Sequence, residues 1–145
     1  MLELAEKVYR RTAPWTSRGH DLNDIKNPKD KREGVEFPDW FTDLIDWHNV
    51  NIAQGFRTPA QYYLLNGDEK YLNATYENFN IVRDNFGQVP GGMFGGDENA
   101  RPGYDDPRQG IELCGVVEQM NSDEHLLRIT GDIFWADHLE EIAFN

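Results

Sequence analysis

Two short stretches of this sequence share one pattern. Leu65-Asn66-Gly67-Asp68-Glu69-Lys70-Tyr71 is matched by Ile129-Thr130-Gly131-Asp132-Ile133-Phe134-Trp135. In each, a helical pattern runs up to a glycine, which suits the left-handed residue that closes a helix. The aspartate that follows is a preferred N-cap, because its carboxylate accepts N–H groups that the first turn of the next helix leaves unpaired. An aromatic side chain comes three residues after each aspartate. So short a joint makes consecutive helices antiparallel neighbours, and each copy predicts an αα-hairpin. Repeated αα-hairpins stack into a solenoid or close into a toroid. Two copies do not choose between these, and neither fits a tetratricopeptide pattern.

The rest of the chain agrees with an all-α fold. Leu72, Tyr76, Phe79, Val82 and Phe86 recur at steps of three and four, placing them on one helix face, with Glu69, Lys70, Asn73, Glu77 and Arg83 on the solvated side. Asp68 is the expected cap of that helix and Gly87 its expected end. Upstream, Trp47 to Leu65 reads as a helix with Val50, Ala53, Ala60 and Leu64 inward. Pro59 would kink or restart it, since proline lacks the backbone donor and clashes with the preceding turn. Downstream, Ile111 to Ile129 and Ile133 to Phe144 read as a helical pair, with Cys114, Val117, Leu127, Leu139 and Ile142 inward. Leu2 to Arg11 reads as a further amphipathic helix. Residues 12–39 turn polar and carry Pro14, Gly19, Pro28, Gly34 and Pro38, which marks a long surface excursion within one domain spanning residues 1–145. No run alternates cleanly enough to predict a strand.

Charge and composition narrow the partners. A net charge of −12 argues against nucleic acid, whose phosphates are bound by clustered Lys and Arg, and against an anionic membrane surface. No run of about 18 apolar residues is present, so no membrane-spanning helix is expected. The first residues show no basic segment followed by an apolar one, hence no visible signal peptide, and the compartment is left open. With 39% hydrophobic residues a core can form. Cys114 is the only cysteine, which excludes an internal disulfide and means that a metal site using it must recruit other ligand types or cysteines from elsewhere.

Chemistry concentrates between the second and third strong helices. The connection from Gln88 to Gly110 is far longer than a usual helix–helix loop, and such loops tend to be functional or disordered. Met93, Phe94 and Tyr104 are seldom spent on a disordered linker. Gly91, Gly92, Gly95 and Gly96 permit close approach of main chain to a ligand, yet the Gly-Lys-Ser/Thr ending of a phosphate loop is missing. Asp97 and Glu98 are followed by Arg101, and Glu112 comes soon after, which brings three carboxylates toward one region. Paired carboxyl groups suit proton transfer to a leaving-group oxygen, as in glycoside cleavage. Taken alone, such acids are more often surface decoration.

Glu112 and Cys114 raise a geometric condition. Residues two apart in mid-helix point about 200° away from each other, so these two converge only if Glu112 precedes the regular helix. Together, carboxylate and thiolate suit zinc, although a lone cysteine is usually a small core residue. His48 opens a helix beside Trp47, with Asn49 and Asn51 close by. An indole, an imidazole and amides make a sugar-binding palette, to which Tyr104 could add a second aromatic face. A plain helix-start residue reads equally well. His20, His125 and His138 sit in polar contexts and read as surface. No Gly-x-Ser-x-Gly elbow supports a serine hydrolase.

In order and spacing, His48-Asn49-Val50-Asn51-Ile52-Ala53-Gln54-Gly55, then Gly91-Gly92-Met93-Phe94-Gly95-Gly96-Asp97-Glu98, then Glu112-Leu113-Cys114 resemble the β-L-arabinofuranosidase family (glycoside hydrolase family 127 type). The likeness runs from His48 to Asn145. The resemblance implies an (α/α)6 toroid of which this chain supplies a part, and a retaining hydrolase acting on β-L-arabinofuranosides or related plant glycans. It further implies a zinc ion held by one glutamate and three cysteines, one of these cysteines being the nucleophile. By matching position, Glu98 is the implied acid/base, Glu112 and Cys114 are implied zinc ligands, and His48 is an implied substrate contact. A bound metal lowers the pKa of a thiol, which makes sulfur a workable nucleophile.

Two departures from that family stand out. Its paired cysteines lie well beyond the Glu-x-Cys element, and no second cysteine occurs here. The last helix also reaches Phe144 without a terminator. The expectation is therefore a partial catalytic domain, about half a toroid, with little or no hydrolase activity alone. Two other classes remain: a non-catalytic helical carbohydrate-binding or scaffold module without metal, and another (α/α)6 hydrolase or lyase working with acids alone.

Overall fold

In the computed structural model, residues 1–11, 15, 48–86 and 111–144 are described. They form six helices: α1 (Leu2–Arg11), α2 (Asn49–Gly55), α3 (Arg57–Asn66), α4 (Glu69–Phe86), α5 (Leu113–Thr130) and α6 (Phe134–Phe144). Among the described residues there is no strand, and single-residue bridge positions fall at His48 and Ile111. No helix among them is long and apolar enough to cross a membrane.

Both Gly-Asp joints form as their sequences require. Gly67 and Gly131 adopt φ of 69° and 68°, and each donates its N–H at 2.8 Å to a carbonyl four residues back, Tyr63 and Leu127. An L-side chain is strained at such angles, so glycine ends the helix without cost. Asp68 Oδ1 then accepts from Lys70 N at 3.1 Å, and Asp132 Oδ1 from Phe134 N at 3.0 Å. Asn66 and Thr130 complete the likeness, each accepting from the N–H of the following aspartate. The copies differ at the second carboxylate oxygen, which in Asp68 meets Lys70 Nζ at 2.8 Å on the surface. Asp132 Oδ2 instead accepts from the Tyr76 hydroxyl at 2.9 Å, and Trp135 Nε1 donates to that same hydroxyl at 3.2 Å, which ties the second joint to α4.

These joints make two αα units, α2–α3 with α4, and α5 with α6, and the members of each unit pack on one another. α2 and α3 also pack on α5. Asn49 approaches Gly115, and further along Ala53 approaches Ser122, so α2 and α5 run in the same direction. The core between the units comprises Ile52, Ala53, Phe56, Ala60, Phe79, Val82, Leu126 and Trp135. Phe79 sits at its centre, meeting Phe56, Trp135 and Phe134 edge to face at 5.2–5.6 Å, the geometry favoured by aromatic quadrupoles. α1 joins through Tyr9, stacked on Tyr62 with centroids 3.9 Å apart.

Several inward assignments are corrected. The Trp47–Leu65 helix is two helices, broken at Phe56, with the second restarting so that Pro59 falls in its first turn, where a missing N–H is tolerated. Ala53 and Ala60 are buried as expected, but Leu64 is 65% exposed. On α5 the buried stripe is Gly115, Gln119, Ser122, Asp123 and Leu126, whereas Cys114 and Val117 face outward. Within that stripe, Ser122 and Asp123 find hydrogen-bond partners on neighbouring helices, so hydropathy alone assigns the faces of α5 incorrectly. His138, read as surface, is buried. Apart from Trp15, the excursion at residues 12–39 lies outside the described residues, as do Trp47 and Gly87.

Candidate functional site

The same-direction packing of α2 and α5 brings their N-terminal ends together. His48 is the N-cap of α2 and Glu112 the N-cap of α5. The two caps are sixty-four residues apart in sequence, as are Gly67 and Gly131. They are therefore equivalent positions of the two units, at the end opposite the glycine joints. His48 is extended (φ −54°, ψ 133°), and its Nδ1 accepts from Val50 N at 3.2 Å. Glu112 is extended too (φ −71°, ψ 125°), and its side chain makes no capping bond. The condition set by the sequence is met: Glu112 stands before the helix, Cys114 in its first turn.

The carboxylate of Glu112 is freed from capping and turned toward His48, with Oε2 3.9 Å from His48 Nδ1. That nitrogen already receives the Val50 N–H, so two acceptors face each other. Glu112 Oε2 is buried and has no hydrogen-bond partner, an arrangement that costs desolvation free energy unless a cation or donor completes it. Two residues on, Cys114 is a free, exposed thiol. A carboxylate and a thiol two residues apart have the donor chemistry of a zinc site, and the buried oxygen without a hydrogen-bond partner fits such an ion. They are two ligands only: among the described residues no group of three His, Cys, Asp or Glu side chains could hold a metal.

Gly115, absent from the sequence-level site, makes the approach possible. A Cβ there would lie 2.5–2.8 Å from the amide atoms of Asn49, which is fully buried. Only glycine lets α2 and α5 close at this point, and a glycine inside a strong helical pattern was the available signal. Asn51 lies on the exposed side of α2. Glu98 and Tyr104 fall in the connection outside the described residues.

Behind the rim, α5 is keyed to its neighbours by buried polar side chains that sequence reasoning passed over. Ser122 Oγ donates to Ala53 O at 2.5 Å and accepts from Arg57 Nη1 at 3.2 Å, while Arg57 lies 3.5 Å from Glu118. On the other flank His138 Nδ1 and Asp123 Oδ2 are 2.7 Å apart, and Gln119 Nε2 donates to Asp123 Oδ1 at 2.9 Å. Burial pushes the Asp123 carboxyl up from its ordinary value, and the bonds from His138 and Gln119 oppose the shift only partly.

The chain matches the family model of the β-L-arabinofuranosidase, GH127 catalytic domain over residues 15–145. No curated protein and no solved structure matches.

Proposed function

Because the chain belongs to the β-L-arabinofuranosidase GH127 catalytic-domain family, a family of glycoside hydrolases, we propose that the rim formed by His48, Glu112 and Cys114 is part of the active site of a retaining glycosidase. Its substrates are β-L-arabinofuranosides or related plant glycans. The observation that carries this reading is the buried Glu112 Oε2, which has no hydrogen-bond partner and faces His48, two residues before the exposed Cys114 thiol. The likeness of the two helical units supports an (α/α)6 toroid, in which the inner helix N-termini gather around one pocket.

Glu112 and Cys114 would hold zinc together with cysteines outside these residues. The ion, when bound, keeps a sulfur nucleophile deprotonated at neutral pH. Glu98, on the glycine-rich connection, protonates the departing glycosidic oxygen as sulfur forms its bond to the anomeric carbon and the carbon–oxygen bond breaks. The resulting carboxylate then takes a proton from water as that water displaces sulfur. Two inversions give retention. His48 and Asn51 supply directional hydrogen bonds to sugar hydroxyls, and Tyr104 an apolar face.

The test uses the complete protein. Glu98→Gln should lower turnover of an aryl β-L-arabinofuranoside by about 10²–10⁴-fold, and an unchanged rate removes Glu98 from this role. Elemental analysis should find stoichiometric zinc, and the cobalt-substituted protein should show a thiolate-to-metal absorption band that weakens in Cys114→Ser. A metal-free protein of full activity would end the zinc reading.

A further inference from the structure

The seven residues of α2 are held at both ends by α5. At the first end, Asn49 lies against Gly115 and His48 faces Glu112. At the far end the chain breaks at Phe56, and α3 restarts at Arg57. Here Ser122, fully buried, gives its hydroxyl proton to Ala53 O and receives one from Arg57. The guanidinium of Arg57 reaches Glu118 as well, so it spans one turn of α5. With its proton committed to Ala53, the Ser122 hydroxyl has a single orientation, and Arg57 locks it.

We propose that Arg57 and Ser122 are positioning residues that set the height of α2 along α5, and thereby the placement of His48 against Glu112 and Cys114. The mechanism is mechanical. Ala53 and His48 are separated by little more than one turn, and a hydrogen-bonded turn moves as a rigid body. A shift at Ala53 O therefore arrives at His48 nearly undiminished. Arg57 and Ser122 touch neither substrate nor metal; they act through α2. The consequence for metal binding rests on reading Glu112 and Cys114 as zinc ligands, while the consequence for α2 does not.

The experiment measures both, in the complete protein, for Ser122→Ala, Arg57→Met and the conservative Arg57→Lys. Amide exchange is followed at Val50, which donates to His48 Nδ1, and at Ile52, which donates to His48 O at 3.1 Å. Zinc affinity is followed by competition with a chromophoric chelator. Ser122→Ala and Arg57→Met should each speed exchange at Val50 and Ile52 by about tenfold, the effect of losing one buried hydrogen bond. They should weaken zinc binding by about tenfold, as changes to groups that orient metal ligands do, and Arg57→Lys should recover much of both. If exchange quickens only at residues 54–58 while Val50, Ile52 and zinc affinity stay as they were, the pair is a local brace and the proposal fails. A wild type that binds no zinc through Cys114, but whose Val50 and Ile52 respond, keeps the positioning role and removes the metal reading instead.

Discussion

Gly115 shows how far one missing methyl group can matter. Alanine is the better helix former by about 1 kcal/mol, so on propensity Gly115→Ala should stabilise α5. The Asn49 amide occupies the space a Cβ would need, and with Asn49 fully buried it has nowhere to move. Overpacking of this kind costs about 1–3 kcal/mol. We therefore expect Gly115→Ala to lower the urea midpoint at an unchanged m-value; a raised midpoint would mean that α2 and α5 can part freely. Residue-level chemistry was partly legible beforehand. The types at His48, Glu112 and Cys114 suggested sugar and metal, and the spacing of Glu112 and Cys114 demanded a helix boundary between them. Nothing in the local sequence indicated that His48 and Glu112 would meet, because the contact depends on how two separate helices pack.

At the scale of elements, the two Gly-Asp joints offer an internal control. Each aspartate caps its helix through Oδ1 and has a second partner on Oδ2: the exposed Lys70 ammonium at Asp68, an ion pair of small net worth, and the part-buried Tyr76 hydroxyl at Asp132. Loss of an N-cap costs about 0.5–2 kcal/mol, and a further buried hydrogen bond about 1 kcal/mol. Asp132→Ala should thus destabilise more than Asp68→Ala, and Tyr76→Phe should account for most of the difference in thermal or denaturant unfolding. Equal losses at the two aspartates would show that the Tyr76 bond contributes no more than the exposed Lys70–Asp68 ion pair. The joints themselves were readable because a helix stop and a helix start are decided within a few residues. The break at Phe56 was readable only as a disturbance near Pro59.

Across the whole molecule, the pH response follows from Asp123. Its folded carboxyl is raised above the ordinary value, chiefly by burial, with His138 and Gln119 pulling the other way. The folded state then binds the proton more tightly than the unfolded chain, so between the two pKa values stability falls as pH rises. The contribution is fully present below the unfolded value of about 3.9 and lost as pH climbs through the folded one. Asp123→Asn removes the titration while keeping bonds in place, since the Gln119 amide can reverse and offer its unpartnered Oε1. The variant should gain on wild type as pH is raised from about 3.5 into the weakly acid range, measured as the difference in unfolding free energy at each pH. A constant difference would mean that Asp123 has the same proton affinity folded and unfolded.

The sequence by itself determined the all-α class, the two αα-hairpin joints, the face of α4 and the residue types of the candidate site. These depend on hydrogen bonds and periodicities that close within a few residues. Tertiary structure alone decided which face of α5 turns inward. Gln119, Ser122 and Asp123 are buried, while Leu113, Cys114 and Val117 are exposed, the reverse of what hydropathy predicts. The reason is physical: a polar side chain can be buried when a partner waits for it, and for Ser122 and Asp123 these partners come from other helices, Ala53 sixty-nine residues from Ser122 and His138 fifteen residues from Asp123, while Gln119 bonds Asp123 within α5. Local sequence does not record such pairings, and the same long-range packing places the His48 cap beside the Glu112 cap.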